Sequence, residues 1–97
     1  MSSNVIWSPV ARVTYYQILE YLEQNWTTKE IESFITRVEY VVQHIGENPL
    51  QYPASKEKNI HRCVVVKQIS LFFRVKEGNI ELLVFWDNRQ DPATLKL

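Results

Sequence analysis

The chain has 97 residues, 45% of them hydrophobic and 23% charged, with a formal net charge of zero. That length supports one hydrophobic core rather than two, so one domain over residues 1–97 is expected, and the charge balance argues against a strong nonspecific nucleic-acid binder. A single cysteine, Cys63, excludes an intrachain disulfide, and no apolar run reaches spanning length; both fit a cytoplasmic chain with no membrane partner.

In chain order, NVIW is short, β-branched and aromatic, and Ser8-Pro9 after it combines a helix N-cap with proline in the first turn. Ala11, Tyr15, Ile18, Leu19, Leu22 and Trp26 then recur at helical spacing. Thr27 and Glu30 have capping-box spacing, which starts a second helix at about Thr28. Its buried stripe runs through Ile31, Phe34, Ile35, Val38, Val41, Val42 and Ile45, with Gly46 as the stop. The short connection makes the two helices an antiparallel hairpin.

ENPLQYPASKEKNI reads as a surface loop. The period then changes to that of strands in RCVVV, ISLFFRV and IELLVFW, joined at Lys67-Gln68 and at Glu77-Gly78-Asn79. The fold class is therefore α+β: an N-terminal strand, then a helix hairpin packed on one face of a small, mainly antiparallel sheet, in the order β-α-α-β-β-β. Simple alternation turns Ile69, Leu71, Phe73, Val75, Ile80, Leu82, Val84 and Trp86 towards the helices. It leaves Phe72, Arg74, Leu83, Phe85 and Asp87 on the reverse face, with Arg89 continuing that parity. The side taken by Arg62 stays open: a two-residue turn at Lys67-Gln68 puts Val64 and Val66 inside, whereas a longer loop turns Cys63 and Val65 inward.

Charge is uneven. Residues 1–50 carry three basic and six acidic side chains, and residues 51–97 carry eight and five. Lys56, Lys58, Arg62, Lys67, Arg74 and Lys76 face only Glu57 between positions 56 and 76. This marks either an anion-facing surface or a lysine-protected strand edge. His44 and His61 have no metal-site spacing, and Gly46 and Gly78 make no phosphate-cradling loop, so no cofactor or metal is expected. The cluster Asp87-Asn88-Arg89-Gln90 has two readings. It is either a polar rim around an apolar floor of Phe72, Leu83 and Phe85, or a strand terminator in which Arg89 pairs with Asp87 or Asp91.

VIWSPVA before two helices, the ENPLQYP loop, the basic IHR entering a strand, ISLFFRV and IELLVFWDNRQDP together resemble the RelE/ParE toxin superfamily. The resemblance implies the toxin half of a type II toxin–antitoxin pair, a plasmid-stabilisation type of system, neutralised by a cognate antitoxin encoded nearby. Its target would be DNA gyrase, blocked by binding, or the ribosome with its mRNA, cut as an endoribonuclease; a degenerate toxin that binds only antitoxin is a third possibility. By that likeness Arg62 and Arg89 are the catalytic candidates of a ribonuclease. Lys56, Lys58, Arg62, Arg74, Phe85, Asp87 and Arg89 are the target-binding candidates. Ser70 stands where the ribonuclease branch commonly has arginine, Phe73 where it has an aromatic hydroxyl, and Asp87 where related toxins often have histidine. The tail after Arg89 holds neither Tyr nor His. These departures favour binding over cleavage, since an aspartate with a reference pKa near ~4 is a poor proton donor at neutral pH.

Overall fold

The computed structural model describes residues 4–55, 59–90, 94, 95 and 97. Strand β1 (Asn4–Trp7) leads into helices α1 (Pro9–Asn25) and α2 (Thr28–Glu47), and strands β2 (His61–Val66), β3 (Ile69–Lys76) and β4 (Asn79–Asp87) follow. The sheet order is β1-β4-β3-β2, with β1 parallel to β4 and the other pairs antiparallel. The α+β architecture and the mainly antiparallel sheet are as the sequence predicts.

Local chemistry sets the helix ends. Ser8 Oγ accepts the Ala11 N–H at 3.0 Å. Thr27 and Glu30 form the full capping box, each side chain bonding the other's backbone N–H. At its far end α2 does not stop at Gly46. That residue is helical and buried, and Asn48 closes the helix by donating to His44 O at 2.8 Å. Phe34, Val38, Val41 and Ile45 of α2 pack with Ala11 and Leu22 of α1 on Leu71, Phe73, Ile80 and Leu82 of the sheet.

Two β-bulges decide which side chains reach which face. Lys67 and Gln68 are absent from the described residues with positive φ, so the turn they make is not a primed one. The mismatch in twist is absorbed at Val65, which lies unpaired between Val64↔Ser70 and Val66↔Ile69. The turn is thus two residues long, yet Cys63 and Val65 face the core, together with His61, and Arg62 and Val64 face out. The β3–β4 turn is primed, with Glu77 at φ 52 and Gly78 at φ 79.

The second bulge falls at Leu83, between Phe73↔Leu82 and Phe72↔Val84. Strand β1 covers β4 only as far as Leu82, and the N-cap Ser8 and the α1 side chain of Thr14 take over from there. Ser8 N–H donates to Leu82 O at 3.1 Å and Ser8 Oγ to Leu83 O at 3.0 Å; Thr14 Oγ1 accepts the Phe85 N–H at 3.0 Å. The extra residue reverses the parity of everything after it. Phe85 and Asp87 therefore lie on the helix side, opposite Leu71 and Ile69, while Val84 and Trp86 join Phe72 and Ser70 on the reverse face.

Candidate functional site

The expected single surface divides in two. Phe85 is a correction: it is 2% exposed, stacked on Trp7 at 5.5 Å and against Tyr15 at 5.3 Å, and so belongs to the core beneath α1. Asp87 and Arg89 are corrected with it, because the Leu83 bulge carries them to the α1 side. There Arg89 is clamped by Asp87: Nε lies 3.0 and 3.2 Å from the two carboxylate oxygens, and Nη2 lies 2.7 Å from Oδ2. The guanidinium also sits over the Tyr21 ring at 5.5 Å. Hydrogen bonds from Arg89 hold the Asp87 carboxyl below its ordinary range, and the same pairing keeps Arg89 firmly protonated. These residues border a cleft of about 290 Å³ between α1 and the end of β4, floored by Ile18, Leu22 and Phe85. The strand-terminator reading thus describes the geometry of Arg89.

On the reverse face Arg74 donates to Glu81 at 3.0 Å. Arg62, at the opposite edge, has no carboxylate partner among the described residues. It is held instead by neutral oxygens. Its Nε donates to Ser70 Oγ at 3.1 Å and its Nη2 to Asn88 Oδ1 at 3.3 Å, while Ser70 Oγ donates to Asn88 Oδ1 at 2.8 Å. Asn88 is fixed in turn by its N–H on Gln68 O at 2.7 Å and its Nδ2 on Lys67 O at 3.4 Å. Ser70 is wholly buried. The closed ring joins the ends of three strands and satisfies a hydroxyl that would otherwise be desolvated without a partner. Around it stand Val64, 51% exposed, and the half-buried Phe72 and Trp86.

Lys56 and Lys58 lie outside the described residues. Sequence reasoning missed Ser70 as a partner and placed Trp86 on the wrong face. The available signal was a lone serine between apolar neighbours in a strand that also had to pass beside Arg62.

Both histidines are on the helix side. His61 is 4% exposed, donates from Nδ1 to Tyr52 O at 2.8 Å, and stacks on Phe73 at 4.9 Å. His44 Nδ1 lies 2.7 Å from the Tyr52 hydroxyl. Burial pushes the Tyr52 phenol up to about 12, so it stays protonated, and burial also raises the Cys63 thiol beside it. No grouping of His, Cys, Asp and Glu among the described residues fits a metal ion, and none of their helices is long and apolar enough to cross a membrane.

Comparison with known proteins follows the same lines. The family model described as the ParE toxin of the type II toxin–antitoxin system parDE matches residues 5–92. Among solved structures, the chromosomal ParDE system of P. aeruginosa superposes with a TM-score of 0.74 at 15% identity, covering 89% of this chain and 96% of that one. The YoeB dimer from Staphylococcus aureus gives 0.56 at 15% identity, covering 87% and 94%. The YoeB–YefM complex from the same organism gives 0.54 at 15% identity, covering 88% and 95%. No curated protein sequence matches the chain.

Proposed function

This chain belongs to the ParE toxin family of type II toxin–antitoxin systems, within the RelE/ParE superfamily, and from that premise we propose that it arrests growth by binding DNA gyrase through the reverse face of its sheet. The observation that carries the reading is Arg62. It is a fixed cation with no compensating carboxylate among the described residues, set among apolar side chains, which suits a protein surface better than a polyphosphate.

Cleavage of RNA needs a base, an acid and charge stabilisation at one place. Here His61 packs under the sheet, His44 is engaged by Tyr52 on α2, and Arg89 is neutralised on the α1 side. Those placements favour binding over catalysis. The cognate antitoxin is a segment that folds on contact, offered the exposed Tyr16 and Tyr40 on the acidic outer faces of the hairpin. ParDE and YoeB–YefM are both toxin–antitoxin assemblies, which supports such a partner.

The test is induced expression without antitoxin, followed by supercoiling assays with purified gyrase and mapping of message ends on translating ribosomes. Growth arrest with inhibited supercoiling, both relieved by Arg62→Ala, is the expected result. Codon-phased message cuts abolished by Arg62→Ala would overturn the binding mode, and normal growth would leave only antitoxin binding. If the product of the adjacent reading frame neither copurifies nor restores growth, the antitoxin assignment fails.

A further inference from the structure

We propose that Ser70 and Asn88 are positioning residues that hold Arg62 so that its remaining N–H groups receive a carboxylate from a protein partner. This rests on the reading of the reverse face as the target-binding face, and deepens it by assigning the chemistry recognised there.

An arginine has five N–H donors. In Arg62 two of them, one on Nε and one on Nη2, are spent on Ser70 and Asn88. The Nη1 pair and the second Nη2 hydrogen have no partner among the described residues. Because Nε and Nη2 are fixed, the guanidinium plane is fixed, and the unspent donors point away from the ring. A flexible arginine would have to lose its rotamer freedom on binding; here that ordering is made during folding.

Both holding oxygens are neutral. This separates Arg62 from the other two arginines of the sheet and its rim, which are held by Glu81 and Asp87 and carry no net charge to a partner. A staple needed only for stability would be served as well by a carboxylate at position 88, which would hold Arg62 more tightly. An amide holds the cation and leaves its charge available.

The ligand is a carboxylate on a protein rather than a phosphate of RNA because of what surrounds it. Val64 is half exposed beside Arg62, and Trp86 and Phe72 are half-buried on the same face, while Glu81, the carboxylate of that face, is taken up by Arg74 at the far edge. An apolar surround matches a protein hot spot with a central ion pair better than it matches a continuous phosphate backbone, which is met by several cations together.

The experiment compares wild type with Ser70→Ala, Asn88→Ala, Asn88→Asp and Arg62→Ala, each checked for unchanged fold by circular dichroism and melting temperature. Two readouts are taken: nitrogen-15 NMR of the Arg62 Nε–H, and growth arrest with gyrase affinity. In wild type the Nε–H should exchange with water at least tenfold more slowly than that of exposed Arg12. Ser70→Ala should abolish that protection. Asn88→Asp should keep it, yet lose growth arrest and affinity as fully as Arg62→Ala does. Asn88→Ala should weaken affinity about tenfold, the value of one charge-assisted contact at about 1.4 kcal/mol.

Rapid Nε–H exchange in wild type overturns the positioning, whatever the target proves to be. Full activity in Asn88→Asp reduces the ring to a staple and also overturns it. Message cleavage that depends on Asn88 would replace the carboxylate with a phosphate. An intact NMR signature with normal activity in Arg62→Ala sinks the reading of the face itself rather than the ring.

Discussion

Thr14→Val tests whether a helix side chain, rather than a fifth strand, completes the edge of β4. The substitution keeps the β-branched shape and nearly the same helix propensity. It removes the one acceptor of the Phe85 N–H, which is bonded at 3.0 Å where the residue is 2% exposed. Thr14 Oγ1 also donates to Val10 O at 2.7 Å, but that carbonyl is already engaged in the helix, so little is lost there. A buried donor left without a partner costs about 1–3 kcal/mol. For a domain of this size each kcal/mol lowers the melting temperature by roughly 4–8 °C. A central value of about 2 kcal/mol therefore predicts a drop of roughly 8–16 °C by differential scanning calorimetry. The local signature is sharper: the Phe85 amide should exchange much faster in Thr14→Val and stay protected in Thr14→Ser. Trp86 and Asn88 sit just beyond this bond, so the loosened strand should also blunt the grip on Arg62. An unaltered Phe85 exchange rate with a melting point within about 1 °C of wild type, far below the shift expected, would refute the reasoning.

Asp87 has a carboxyl held low by Arg89, so the stability it contributes is present above the unfolded value near ~4 and is lost as pH falls through the lower folded value. Asp87→Asn should flatten the acid limb of a melting-temperature profile, and only modestly, because the Arg89 side chain is 55% exposed and screened by salt. Glu77 occupies the left-handed region at φ 52, where asparagine is far more at ease. Glu77→Asn should raise stability by roughly 0.5–1 kcal/mol in urea titrations, and a loss would mean that the turn depends on the glutamate side chain. Cys63, 4% exposed with its thiol pushed up by burial, should label with a thiol reagent only as fast as the chain unfolds. Labelling of the native protein at the denatured rate would contradict that packing.

The order of elements, both helix caps and the α2 stripe were legible because each depends on residues a few positions apart. Face assignment in β4 was legible only up to Leu82. From Leu82 to Trp86 every side chain is apolar, so period-2 alternation carries no information there and the bulge at Leu83 leaves no mark in composition. What makes the bulge is remote: Ser8 and Thr14 reach the strand across 75 and 71 positions. Arg62 was ambiguous for a related reason. The sequence left two turn lengths open, each tied to one facing. The structure joins the shorter turn to the facing expected of the longer loop, because a tight turn without positive φ angles needed an extra residue at Val65, and that residue chose the face. Arg62 and Asn88 could each be singled out from the sequence; that they share one serine is a matter of register alone.

The pairing of β1 with β4 has a bearing on synthesis. The first strand to leave the ribosome finds its neighbour only when Asn79–Leu82 has followed, since Val5 lies against Ile80. The helical hairpin must wait with its oily side uncovered, and the ring around Arg62 closes last of all, on Asn88. A chain that stops short of the final strand should lack both a stable core and the face assigned to the target. The topology thus ties the assigned face to β4, and fragments that end before Asn88 should not present it.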